Sequence, residues 1–499
     1  MIRGDECYYI AMSFNSIQFA LFLPIVFLFY WLVFDKLIGK SRYQLQMQNA
    51  FVVLASYVFY GWWNKHFLVL IFFTSFSSWL SGLLIENAKS SKASKTWMVV
   101  NVVVNISILA FFKYYNFFIT EFCQAFHVLS NKNLLKVILP AGISFYTFQA
   151  VSYSVEVYRK KTEATRDIMA FFAFISFFPQ LVAGPIERAT NLLPQFLRKR
   201  EFDQQQATDG MRQFLWGLFK KTVVADNCAL HVSSVFYWSS RTVIPGSDLL
   251  LAAVLFSFQI YADFSGYSDM AIGTSKLFGV KLMQNFKFPY FSRNMAEFWR
   301  RWHISLNSWF RDYVYIPLGG SRVKKPVVVR NIFVVFILSA MWHGAGLNYI
   351  LWGVYHALLI VLLFLLHKNR KNFDVVSSGR ILPNLKETAQ MLVTFMFVTF
   401  GWIAFRSDNL QVFFHYVSGM AHWGTLHASY RFFIQSDMWP MNLFICLMLV
   451  IEWLQRDRAF GLDIGFVKSA WARWTIYLVI SVMIIMFGGM PEPFVYFQF

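Results

Sequence analysis

Between Ile17 and Phe487 long apolar runs alternate with short polar stretches, most of them basic. Runs fall at about 17 to 34, 49 to 63, 66 to 85, 97 to 119 and 134 to 157, near the roughly 20 residues a helix needs to cross the hydrocarbon core of a bilayer. Three more, at 168 to 184, 211 to 238 and 249 to 280, lie between two basic regions that belong on one side of the membrane, so one of them is not expected to cross. Within 177 to 200, Pro179, Gly184, Pro185 and Pro194 cannot continue a straight helix. That segment is predicted to be re-entrant and to form cavity wall, because irregular backbone survives at membrane depth only when shielded from lipid. Further runs follow at 327 to 341, 347 to 366, 388 to 405, 439 to 455 and 474 to 489. The pattern predicts an all-α polytopic integral membrane protein. About 12 transmembrane helices (11 to 13) are expected, with re-entrant and interfacial helices around a central tunnel, in one domain spanning 1–499. No internal repeat is visible.

Composition agrees with this pattern. The chain is 57% hydrophobic, 20% aromatic and 14% charged, against about 25% charged in a soluble domain. Its net charge of +19 sits in loops between apolar runs, which is how topology is written into membrane proteins rather than how nucleic acid is bound. Lys36, Lys40, Lys89, Lys92, Arg159 and Lys160 mark the cytoplasmic side, and both termini are placed outside. Cys7, Cys123, Cys228 and Cys446 are too scattered for a zinc site or a disulfide framework, and no metal is expected. No cleavable signal peptide is evident. The polar residues 1–11 are read as a tail or as a non-native start ahead of Met12.

Residues 281–330 hold ten Lys or Arg against Glu297 and Asp312, a basic segment assigned to the cytoplasmic surface. Asn294 to Phe310 has helical periodicity, with Ala296, Arg300, His303 and Asn307 on one face and Phe298, Trp302, Ser305 and Trp309 on another.

The residues most suggestive of chemistry lie in SAMWHGAGLNYILWGVYH, 339 to 356. An ionisable group within a bilayer is costly and points to function. His343 is such a group, and Gly344 and Gly346 behind it break the helix and leave room for a substrate. An apolar setting keeps an imidazole neutral, the form a general base needs, although a membrane histidine can also be a plain interhelical donor. On one continuous helix His356 would lie about 20 Å away on nearly the opposite face, so unless the glycines bend the chain it ranks as support. Asp263 and Asp269, in QIYADFSGYSDMAIG, suit a buried structural pair at a helix break near Gly266 better than a proton relay. His415, His422 and His427 fall in a loop placed outside and read as solvated. Walker A, GxSxG, HExxH and DxD patterns are absent.

Several stretches together resemble the membrane-bound O-acyltransferase family, in its bacterial branch that acetylates polysaccharides such as alginate. They are FFPQLVAGPIER at 177 to 188, QIYADFSGYSDMAIG at 259 to 273, FWRRWHISLNSWFRDYVYIPLGGSR at 298 to 322 and MWHGAGLNYILWGVYH at 341 to 356. The opening SFNSIQFALFLPIVF and the ending FVYFQF are similar too, while Glu156 stands where the branch often has Asp. The resemblance implies a multipass acyltransferase of the bacterial inner membrane, with catalytic histidines at His343 and His303. On this reading Trp302, Arg300, Asn307, Trp342 and Asn348 line the substrate path. The resemblance also implies a cytoplasmic donor, acetyl-CoA, with no permanently bound cofactor. An SGNH-hydrolase-type partner outside and a polysaccharide acceptor complete the relay it suggests. Three other readings stay open at this level: transient acylation of His343, a proton-coupled polysaccharide or lipid transporter, and a scaffold for an external enzyme.

Overall fold

The computed structural model describes residues 12–37, 43–126, 139–421 and 439–495. The tail at 1–11 and the histidines His422 and His427 lie outside that set. Every regular element among the described residues is a helix. Eight are long and apolar enough to cross a bilayer, and Pro440–Leu454 is a shorter apolar helix. Other expected spans are less clear-cut as elements: Gln44–Gly61 opens on three glutamines and an asparagine, and the described part of the 134 to 157 run is the 16-residue helix Ile143–Tyr158. The spans differ in surroundings, since Gly246–Leu277 is 83% buried and Ala470–Phe487 only 6%. The first is a core element, and the second offers its surface to lipid.

The chain divides into two compact units, Met1–Met211 with Ala271–Met283, and Arg212–Met270 with Gln284–Phe499. In the first, Leu68–Glu86 packs on Ser91–Phe126 and Ile143–Tyr158, and Gln44–Gly61 on Ile168–Ser176. Apolar surface does not discriminate between helices in lipid, so buried polar pairs fix the register. Asn101 Nδ2 donates to Ser154 Oγ (2.7 Å), Gln149 Nε2 to the Phe174 carbonyl (2.7 Å), and Arg200 to Gln48 Oε1 (3.0 Å) and Asn49 Oδ1 (2.7 Å).

The 177–200 stretch is broken as expected, into the short helices Phe178–Leu181 and Ala189–Phe196 with a non-helical link. Pro179 falls at the start of the first, where its missing N–H is no loss. Gly184 and Pro185 lie in the link. The fully buried Glu187 fastens it by accepting from Asn191 Nδ2 (2.6 Å) and from the Met283 amide.

The second unit corrects two expectations. Gly246–Leu277 is continuous through Gly266, so Asp263 and Asp269 cap no helix break, and they do not pair with each other. Asp263 meets Lys221 at 2.8 Å and Asp269 meets Lys220 at 2.7 Å. Both lysines lie within the apolar 211 to 238 run and are buried. They follow one another on a π-helical turn, Lys220–Ala225.

The single helix expected over Asn294 to Phe310 is instead two, Met295–Arg301 and Ile304–Phe310. Asn294 caps the first by accepting from the Glu297 amide (2.9 Å). The chain then turns at Trp302, which is extended, and at His303, whose φ of +43° is left-handed. His303 therefore leaves the face expected for it, while Ala296, Arg300 and Asn307 still line one groove. Glu297, 1% exposed, anchors the corner by accepting from Arg293 and Arg301.

Candidate active site

His343 is the last residue of the helix Lys325–His343, and the next helix, Leu347–Leu365, begins after Gly344 and Gly346. The two helices pack against each other as a hairpin. Gly344 is required here because a Cβ would stand 2.1 Å from the Tyr349 ring. With that glycine the chain reverses directly behind the imidazole.

Reversal changes what the sequence can bring together. Trp352 lies edge-on to both His343 (5.2 Å between ring centroids) and His356 (5.1 Å), so the two histidines share an aromatic neighbour although 13 positions separate them. The helix break expected from the glycines is what allows it. His356 is fully buried, with Trp299 at 5.0 Å and neither ring nitrogen hydrogen-bonded among the described residues. Gly401 makes room for it, since a Cβ there would lie 2.5 Å from Nε2.

On the other side, His343 meets Trp342 at 4.9 Å and Phe405 at 5.2 Å, and Trp342 meets His303 at 5.9 Å. Three imidazoles thus alternate with indoles along one path, His303, Trp342, His343, Trp352, His356. His303 and His343 are 1% and 5% exposed. Burial pushes the His303 imidazole down to about 3, so it is neutral at physiological pH. Its backbone strain is of the kind that collects at functional sites, on the order of 1–3 kcal/mol.

The remaining expected residues divide by what they touch. Trp302 packs on Trp402 at 4.9 Å and Phe298 at 5.5 Å as part of the wall. Arg300 and Asn307 line a groove of about 460 Å³ with Trp299, Phe336 and Arg311. A second groove, of about 560 Å³, shares Tyr315, Ile332 and Asn369 with it and adds His367 and Arg370. Arg300 is held by the carbonyls of Asn369, Lys371 and Asn372 (2.8–3.2 Å) and lies over Phe373. Asn307 donates to the Trp299 carbonyl (2.7 Å) and also to that of Trp302, closing the corner before His303. Asn348 donates to the carbonyls of Ser407 (2.7 Å) and Ala404 (3.3 Å), which makes it a tie between helices. Sequence reasoning passed over Trp299, Trp402 and Asn285. An indole in an aromatic-rich chain carries little signal until its neighbours are known.

A model of the membrane-bound O-acyltransferase family matches residues 58–401. The chain belongs to that family. It is therefore an acyltransferase, and a multi-pass membrane protein. The acyltransferase is 38% identical over 427 residues to the probable alginate O-acetylase of Pseudomonas aeruginosa, covering 84% of this chain and 76% of the relative. It is 34% identical over 512 residues to the probable alginate O-acetylase of Pseudomonas putida, covering 98% and 100%. To the peptidoglycan O-acetyltransferase of Helicobacter pylori it is 35% identical over 425 residues, covering 80% and 77%.

Proposed function

We propose that this acyltransferase takes an acetyl group from acetyl-CoA on the cytoplasmic side and delivers it for O-acetylation of an envelope or secreted polysaccharide. The observation that carries the reading is His343, a buried imidazole at the end of a helix where the chain reverses, flanked by Trp342, Trp352 and Phe405. Burial among aromatic rings suits the neutral form that a general base needs. His343 acts as general base. The acceptor hydroxyl gives it a proton while the oxygen attacks the thioester carbonyl, the C–S bond breaks, and the departing thiolate takes that proton. A positioned base contributes about 10² to 10⁴ in rate, and amide and indole N–H groups facing the oxyanion add roughly 3–4 kcal/mol.

The donor's phosphates and adenine stay out of hydrocarbon, so only the pantetheine arm and thioester reach the imidazoles. Two grooves that share lining residues, one with Arg300 and Arg311 and the other with Arg370, supply positive charge for the phosphates. Relatives named for alginate and peptidoglycan favour a glycan acceptor. On this reading an SGNH-hydrolase-type partner beyond the inner membrane carries the acetyl group to it, and the basic loops put both chain termini on that far side. The transporter reading is weaker, because the two membrane aspartates it would use for proton coupling are each held by a lysine.

The test is purified protein in liposomes with labelled acetyl-CoA supplied on one face and a soluble glycan acceptor with the partner on the other. Label is expected on the acceptor, and abolished by His343→Ala in protein that remains monodisperse. Wild-type transfer by that variant removes the assignment. An acyl group trapped on His343 instead makes the histidine a nucleophile.

A further inference from the structure

Asn285 lies in the loop after the helix Gly246–Leu277 and is fully buried. It is stitched to the turn that carries His303. Its backbone carbonyl accepts from the Ile304 amide at 2.8 Å. Its side-chain oxygen accepts from the Ser305 amide (3.4 Å) and the Ser305 hydroxyl (2.9 Å), and faces His303 Nδ1 at 3.0 Å. Its NH₂ group donates to Ser268 Oγ at 2.9 Å.

These contacts fix where the imidazole proton sits. A backbone N–H can only donate, so the Asn285 atom beside the Ser305 amide is the oxygen and not the nitrogen. That oxygen is an acceptor, and therefore His303 Nδ1 carries the hydrogen. A neutral imidazole has one N–H, which leaves its lone pair on Nε2. In this form His303 has no N–H left at Nε2 for an oxyanion. Ser268 and Ser305, 2% and 0% exposed, close the arrangement from both ends, and a buried set of this kind is held firmly because breaking it strands polar groups.

We propose that Asn285 is a positioning residue of the transfer site, holding His303 in the Nδ1–H form so that Nε2 accepts a hydrogen bond from the bound substrate. The proposal rests on the acyl-transfer reading above. The group that fits is an N–H or O–H donor, either a pantetheine amide of the acyl donor or the hydroxyl of the acyl acceptor. His303 then stands opposite in sense to the oxyanion-stabilising groups.

Two measurements test it. In detergent-solubilised protein with ¹⁵N-labelled histidine, the signal lost in His303→Gln is expected to report a protonated Nδ1 and a bare Nε2. An Nε2–H form overturns the proposal whether or not any acyl group is transferred, whereas failure of the acyl-transfer reading appears separately, as wild-type protein that moves no label. The second is kinetic. Asn285→Ala is expected to lower transfer by about 10- to 100-fold, the range seen when the partner orienting a metal-bound imidazole is removed. A rise in KM for acetyl-CoA assigns the contact to the donor amide, and a fall in kcat at constant KM to the acceptor hydroxyl. Asn285→Asp keeps the acceptor oxygen and adds a charge that favours imidazolium. It is expected to restore most of the Asn285→Ala loss at pH 8 and to move the acid limb of the pH profile up by about a unit or more. An unshifted limb in Asn285→Asp, or an Asn285→Ala protein with wild-type kinetics, overturns the proposal.

Discussion

Two buried polar clusters in the second unit solve the same problem in opposite ways. Around Lys220 and Lys221 the solution is charge balance. Lys220 meets Asp269 at 2.7 Å and Glu452 at 3.9 Å, and Lys221 meets Asp226 at 2.7 Å and Asp263 at 2.8 Å. Gln213 and Ser265 bond this first pair, Tyr261 donates to Glu452, and the amide of Val495 donates to Asp263. Along His303, His343 and His356 aromatic rings pack against each imidazole. Groups locked to each other have little to offer a substrate, whereas an uncharged imidazole retains a lone pair. On the function proposed above, the first cluster belongs to structure and the second to chemistry.

The sharpest way to break that assignment is to exchange the outcomes. His343→Ala is expected to reduce acyl transfer by about 10² to 10⁴, while the solubilised protein elutes as the wild type does. Lys221→Met is expected to do the reverse, because it strands Asp226 and Asp263 without a cation. Breaking a buried pair costs about 3–5 kcal/mol. The readout is thermal unfolding in detergent, and whatever Lys221→Met protein survives is expected to transfer acyl groups at near the normal rate per folded molecule. A stable Lys221→Met protein with no activity would move the lysine cluster into the chemistry.

A smaller effect separates the site from its frame. Asn348, expected from sequence to touch substrate, spends its NH₂ on the Ser407 and Ala404 carbonyls. Asn348→Leu is expected to cost about 1–3 kcal/mol, the penalty for leaving buried carbonyls unmet, with KM for the donor unchanged. A selective rise in KM would return Asn348 to the substrate path.

The same contrast explains what was legible in the chain. Apolar runs, the broken 177–200 segment and the glycine reversal after His343 are local, so period and residue type announce them. His303 was found, but its helix was drawn straight, because no residue near it is a proline or glycine and only the Asn285 and Asn307 contacts reveal the corner. Asp263 and Asp269 were seen as a pair because they are near in sequence. Their partners, Lys220 and Lys221, are more than 40 positions away inside the 211 to 238 run, and nothing local shows which carboxylate each lysine meets.

The mildest expected effect bears on His303 itself. Burial holds the His303 imidazole near 3, below its ordinary value of 6.5. A depressed value means that between those two pH values the unfolded chain takes up a proton that the folded site refuses. His303 therefore contributes to stability above about pH 6.5, and that contribution is lost as pH falls toward 3. His303→Gln, which cannot titrate, is expected to show a shallower loss of thermal stability between pH 7 and pH 5 than wild type, measured in the same detergent. If the two curves run parallel, His303 is protonated or solvated in the folded protein. The neutral half of the comparison then fails at that ring, and the lone pair assigned to Nε2 fails with it.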